Sequence, residues 1–336
     1  MGVPLPIDLA EAETTAVIVL ADETLVSNRD WLEYVRALAG RAEDVGLAAR
    51  VFPVSMTTGV LSRLGMAEQA LRWDHWGGSY EEKVRALISA LAYQFCRMLR
   101  HYLEHLMRPA EEHDALEAYL KKVQIFLSHS KHDGVGERMA LKIRDRLYAG
   151  TGLSGFFDVY DIPAGLKFDK VLLQKVRVSA MVAIHTDSYS SREWCRREII
   201  EAKRWSVPLV VANSIDDLDE RGFPYMGNVP VVRLDPNGED RIDFVIGRLM
   251  DEVLKDFLWK CQVKLAEGMH KDNVFYIPRP PELISLSAIP VDRDVLDPIM
   301  VYPDPPLSKE EERLFEDIAP GVQLRSLNEW LAGAVR

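Results

Sequence analysis

The stretch VQIFLSHSKHDGVGERMALKIRDRLY (123–148) decides the fold. VQIFLS reads as a short apolar strand, SHSKHDG as a polar turn, and ERMALKIRDRLY as an amphipathic helix. The same unit recurs downstream. GFFDVY (155–160) precedes KVLLQKVRVS (170–179), AMVAIHT (180–186) precedes WCRREIIEAKRW (194–205), and PLVVANS (208–214) follows. NVPVVRL (228–234) gives a last strand and GEDRIDFVIGRLMDEVLKDFLWKC (238–261) a last helix. Short apolar strands alternating with amphipathic helices predict right-handed crossovers and a mostly parallel sheet, an α/β fold.

On the N-terminal side, TTAVIVLAD (14–22) predicts a buried strand, a helix follows from about Trp31, and RVFPVSM (50–56) predicts a second strand. After Gly77 and Gly78, a long helix is expected over 79–107, with Val84, Leu87, Ile88, Leu91 and Phe95 near helical spacing and Ser79 with Glu82 as a capping box. On the C-terminal side, eight of the chain's 18 prolines fall between Pro278 and Pro306, which predicts an extended, loop-like stretch rather than a packed unit. SKEEERLFEDI (308–318) then predicts a helix capped by Ser308 and Glu311, and with LNEWLAGAV it reads as a lead into a further unit. The resulting division is an N-terminal α/β and helical region over 1–115, a central domain over 121–258, and a proline-rich extension with a terminal helix over 259–336.

Composition narrows the function. At 336 residues with 48% hydrophobic and 28% charged residues, the chain suits a globular protein of two domains. A net charge of -11 argues against direct nucleic-acid binding. The three separated cysteines, Cys96, Cys195 and Cys261, fit a reducing cytoplasm better than a disulfide framework, and no run is apolar enough for a membrane span. His101 and His105 stand one helical turn apart but lack a clear third ligand, so no metal is expected. Cys195 with His185 suggests a nucleophile, against which a small buried thiol is the plainer reading. There is no P-loop and no G-x-G-x-x-G.

One pattern occurs twice. TTAVIVLAD is followed by SNRDW (27–31), and SAMVAIHTD (179–187) by SSREW (190–194). The residue four after the tryptophan is Val35 in the first copy and Glu198 in the second, so only the second offers a carboxylate. The first copy reads as a degenerate half of the same design.

Three motifs in order, FLSHSKHD (126–133), FFDVYDIPAGLKF (156–168) and SSREWCRREI (190–199), with FPYMGNVPVVRL (223–234) behind them, resemble a Toll/interleukin-1 receptor (TIR) domain of the bacterial kind. Its second motif reads Y-D-I-P-A-G where R-D-x-x-P-G is commoner. The resemblance implies a flavodoxin-like fold with a parallel five-stranded sheet, and ligands of such sheets bind at the carboxyl ends of the strands. Many TIR domains cleave NAD+ between nicotinamide and ribose, with a catalytic glutamate in a W-x-x-x-E stretch that maps onto Glu198. NAD+ enters as substrate and no cofactor is implied. Trp194, one turn earlier, offers a ring for stacking. Ser128, His129, Ser130 and Lys131 are placed where a pyrophosphate would be held. Phe157 and Gly165 flank the second loop, although Phe156 and Phe157 read more readily as core than as ligand contacts and Gly165 as a backbone requirement.

The resemblance further implies an effector of bacterial antiphage immunity, switched on by self-association through the loop 159–168 and served by a sensor domain or partner protein. Two alternatives stay open: a non-catalytic TIR scaffold, and a nucleoside-processing enzyme of the same broad fold. Glu198 among Arg196, Arg197, Lys203 and Arg204 also reads as a solvated member of surface ion pairs.

Overall fold

The computed structural model describes residues 5–107, 122–148, 157–159, 168–266, 273–289 and 297–334, with backbone alone at 157–159, 168–172, Ala288 and Ala334. The chain divides into two compact units, 1–120 and 121–336.

In the first unit, β1 (Thr15–Ala21) and β2 (Ala49–Ser55) pair in parallel, from Thr15 opposite Ala49 to Ala21 opposite Ser55. The crossover contains α1 (Glu23–Ser27) and α2 (Arg29–Val45). Each starts on a side-chain cap: Asp22 accepts from the Leu25 amide at 2.8 Å, and Asn28 from those of Asp30 and Trp31 at 3.0 and 3.2 Å. Val35, Leu38, Ala39 and Ala42 share the inner face of α2 and pack with Val19, Ala21 and Val51 of the strands. Then come α3 (Val60–Leu64) and α4 (Tyr80–Met107). The expected box precedes α4: the Ser79 amide donates to Glu82 at 2.6 Å, and the Glu82 amide to Ser79 Oγ at 3.3 Å. Leu91, Phe95 and Met98 of α4 cover Phe52 of β2.

The second unit opens with β3 (Val123–His129), α5 (Gly134–Tyr148), β4 (Phe157–Val159), α6 (Phe168–Arg177) and β5 (Ala180–His185). It continues through α7 (Glu193–Arg204), β6 (Leu209–Asn213), β7 (Val231–Arg233) and α8 (Ile242–Ala266). The strands form one parallel sheet in the order β4-β3-β5-β6-β7. β5 and β6 are buried through almost their whole lengths, as a sheet covered on both faces requires. The chain steps from β3 outward to β4 and returns on the other side of β3. The strand order therefore reverses between β3 and β5, and the crevice at their carboxyl ends is the natural ligand position.

The proline-rich segment departs from expectation. It is no bare loop, because β8 (Val274–Tyr276), β9 (Ile299–Tyr302) and β10 (Gln323–Ser326) make a second parallel sheet in the order β10-β9-β8. Its prolines flank the strands instead of interrupting them. Pro298 sits just before β9, where its carbonyl accepts from the Gln323 amide at 2.8 Å and its missing N–H costs nothing. The boundary drawn at 258/259 falls inside α8, whose Trp259 packs with Val274, Val301, Leu327 and Trp330. The helix expected over 308–318 is α9 (Lys309–Ile318), with both halves of the Ser308–Glu311 box formed. LNEWLAGAV is largely α10 (Leu327–Ala334), and it closes this small core.

Candidate functional site at the sheet crossover

Glu198 lies on α7 with 7% of its surface exposed, and Ser128 lies fully inside near the end of β3. The Ser128 hydroxyl donates to Glu198 Oε2 in a very short hydrogen bond. Tyr189, from the loop after β5, places its hydroxyl 2.5 Å from Ser128 Oγ. Since a serine has one proton and Ser128 gives it to Glu198, Tyr189 must be the donor to Ser128. Tyr189 keeps its proton, because complete burial pushes its pKa well above the usual phenol range. A relay therefore runs from Tyr189 through Ser128 to the carboxylate, joining β3, the β5 loop and α7 at the switch point.

Burial drives the Glu198 carboxyl upward. The Ser128 hydrogen bond and the positive charge of Lys131 draw it partly back, and it settles at about 7. Such a group changes charge near neutral pH, as acting carboxylates do. Three cations of its own helix are engaged elsewhere. Arg196 donates to the Ser190 carbonyl at 2.9 Å, Arg197 covers the Trp194 ring at 4.2 Å, and Lys203 pairs with Glu282 at 2.8 Å. Glu198 is thus not the solvated partner of surface ion pairs that the charged helix also suggested.

A second network fixes the loops around this carboxylate. The His132 amide donates to Ser130 Oγ at 3.2 Å, Ser130 and Ser188 hydroxyls meet at 2.8 Å, and Ser188 donates to Asp133 in a very short bond. Asp133 also accepts from Thr186 Oγ1 at 2.7 Å and the Gly136 amide at 2.8 Å. Burial by itself would raise Asp133; the donors from Ser188, Thr186 and Gly136 outweigh it and hold the carboxyl below its ordinary value. Gly136 is required here for closeness, since a Cβ would stand 2.9 Å from the Ser130 carbonyl. In the next loop, Asp187 accepts from the amides of Asp216 and Asp217 at 2.8 and 3.1 Å, and His185 Nε2 lies 3.0 Å from Ser190 Oγ and 3.1 Å from Asp219. His185 also meets Tyr189 edge-on at 5.9 Å.

The residues predicted from sequence fall into three groups. Glu198 and Ser128 come together directly. Ser130 is buried and holds the loop, so a phosphate at this turn would meet the backbone and exposed Lys131 rather than the two serine hydroxyls. His129 is half-buried, its Nδ1 3.3 Å from the Leu127 carbonyl. Trp194 is half-buried, packs beside the cluster containing Cys195 and Ile199, and carries Arg197 on its ring. The Phe157 side chain, Gly165, and residues 160–167 of the self-association loop lie outside the described residues. Cys195 is no nucleophile: burial, then the neighbouring Glu198, pushes its thiol up to about 12. Sequence reasoning missed Asp133, Tyr189 and Ser188. Asp133 closes the quoted FLSHSKHD motif, but nothing local signals that an acid there will gather hydroxyls from a loop more than 50 residues away.

Among the described residues, no three His, Cys, Asp or Glu side chains gather so as to hold a metal, and no helix is long and apolar enough to cross a membrane. A family model described as TIR domain matches residues 125–243. No curated protein and no solved structure gives a significant match. With the parallel sheet, the switch-point site and this match in agreement, residues 125–243 of the chain are a TIR domain.

Proposed function

We propose that this domain cleaves NAD+ at the nicotinamide–ribose bond, with Glu198 as the acting carboxylate, and that the chain is a cytoplasmic effector of bacterial antiphage immunity activated by self-association. One observation carries the reading: a nearly enclosed carboxylate at the strand-order switch point, titrating near neutrality and held by a two-hydroxyl relay.

The chemistry needs little else. Nicotinamide leaves its pyridinium form as a neutral molecule, so no acid has to protonate it. The bond to ribose C1′ breaks with its electron pair going to the ring nitrogen, and positive charge develops on the ribose. Ionised Glu198 stabilises that charge, and the Tyr189–Ser128 relay keeps the carboxylate aimed. Water then adds at C1′ and releases a proton, giving ADP-ribose; attack by a group of the same molecule instead gives a cyclic product. Lys131 at the mouth supplies positive charge toward the pyrophosphate.

The enclosure of Glu198 also favours a second reading, a TIR scaffold whose buried network only stiffens the fold. The two separate in one assay. Full-length protein incubated with NAD+ over rising protein concentration should release nicotinamide with a specific activity that climbs as protomers assemble, because docking against the rim orders loops and excludes water. Assembly visible by light scattering without nicotinamide at any concentration would leave the scaffold.

A further inference from the structure

The helix that carries Glu198 is gripped at its far end by residues outside the TIR match. Lys203, its side chain 2% exposed, donates to both carboxylate oxygens of Glu282 at 2.9 and 2.8 Å and to the Gly227 carbonyl at 2.7 Å. Glu282 is itself fixed. Its amide donates to Ser285 Oγ at 3.1 Å and its side chain accepts the Ser285 amide, a capping box that opens the short helical turn Leu283–Ala288. Three residues earlier, Arg279 donates to the Val207 carbonyl at 3.2 Å, just beyond the exit of α7, and reaches Glu252 of α8 at 3.4 Å.

These contacts do more than fill space. A buried ammonium is tolerated only while its partner is present, so the seating of the last turn of α7 depends on Glu282. Glu198 is five residues up the same helix, about 7.5 Å along its axis. A rigid helix passes a shift at one end to the other, so the length and aim of the Ser128–Glu198 hydrogen bond change with any displacement of α7.

We propose that the C-terminal extension is a positioning module for the Glu198 helix, and that the Lys203–Glu282 pair is the contact through which it sets the Glu198–Ser128 geometry. Glu282 is then a positioning residue, not a catalytic one. The kinetic part of the proposal rests on NAD+ cleavage; the structural part does not.

The test uses the full chain with Glu282→Gln, which keeps the capping oxygen and removes the charge facing Lys203, and the double variant Lys203→Met/Glu282→Gln, which leaves no unpaired buried charge. Hydrogen exchange of the amides in 193–204 should quicken at least about tenfold in both variants, with those of β5 and β6 staying within about twofold. Turnover of NAD+ should drop about tenfold with KM nearly unchanged and the pH midpoint of kcat displaced, in the double variant as well, although its thermal unfolding returns to that of the parent. Unchanged exchange in α7, a uniform rise across the whole unit, or a double variant that recovers full kcat would overturn the proposal. Should the parent release no nicotinamide, the functional reading falls and the exchange pattern alone decides this one.

Discussion

Replacing Glu198 with Gln should abolish chemistry yet make the protein more stable at pH 8. Burial moves the carboxyl from 4.5 to about 7. At about 1.4 kcal/mol per pH unit, keeping Glu198 ionised inside the fold costs on the order of 3 kcal/mol. Gln has the same shape and no charge, and it still offers Ser128 an acceptor; the stronger hydrogen bond to the ionised carboxylate is already contained in the value of about 7. The net gain at pH 8 is therefore about 3 kcal/mol. Because the folded value lies above the unfolded one, native Glu198 holds its proton more tightly than the unfolded chain does. Its contribution to stability is fully present below pH 4.5 and is lost as pH rises through about 7. The advantage of Gln should therefore open between those values and stay flat above them. Urea unfolding of both proteins at several pH values isolates this group, since every other titration is shared. A pH-independent difference, or a parent more stable at pH 8, would refute the reasoning.

Ser128→Ala removes the donor that draws the Glu198 carboxyl down. The acid limb of the pH–rate profile should move to higher pH, with turnover at pH 7 reduced about tenfold and recovering in base. Asp133→Asn has one acceptor oxygen where Asp133 has two, so it leaves the Gly136 amide or the two hydroxyls poorly met and should cost roughly 1–2 kcal/mol in urea unfolding. Since the folded Asp133 carboxyl is held low, its contribution is present above the unfolded value of 3.8 and lost as pH falls through the folded one, so the deficit should shrink in acid. Val35→Glu places a carboxylate at a position 3% exposed without any hydroxyl relay among its described neighbours, so it should destabilise the first unit by about 3 kcal/mol and create no activity. Thermal unfolding and a nicotinamide assay check both halves.

The repeated strand–tryptophan pattern shows how far local sequence reaches. Both tryptophans fall in the first turn of a helix after a parallel strand, and the residue four later points inward in both copies. Spacing alone made that legible. What differs is chemistry at one buried point: Val35 needs only apolar neighbours, whereas Glu198 needs Ser128 and Tyr189, 70 and nine positions away. The succession of strands and helices was legible because each strand–loop–helix unit is local, but the Asp133 network was not, since hydrogen bonds between loops leave no periodicity. The extension was misjudged for a different reason. Proline density signals loops only when prolines fall within strands, and here they bracket β9, a strand of four residues whose core partners Trp259, Leu327 and Trp330 lie on distant helices. The paired cations Lys203 and Arg279 were equally hidden, because a basic residue that reaches across to a proline-rich segment looks in sequence like any solvated one.

The central claim is that the ionised Glu198 carboxylate breaks the nicotinamide–ribose bond. The most direct measurement is nicotinamide release from NAD+ by assembled protein across pH 5 to 9, for the parent and for Glu198→Gln at matched assembly. The account predicts a parent rate that rises with pH through about 7, and a Gln variant at least about a hundredfold slower at every pH. A Gln variant that turns over at the parent rate, or a parent rate with no inflection near neutrality, would contradict it.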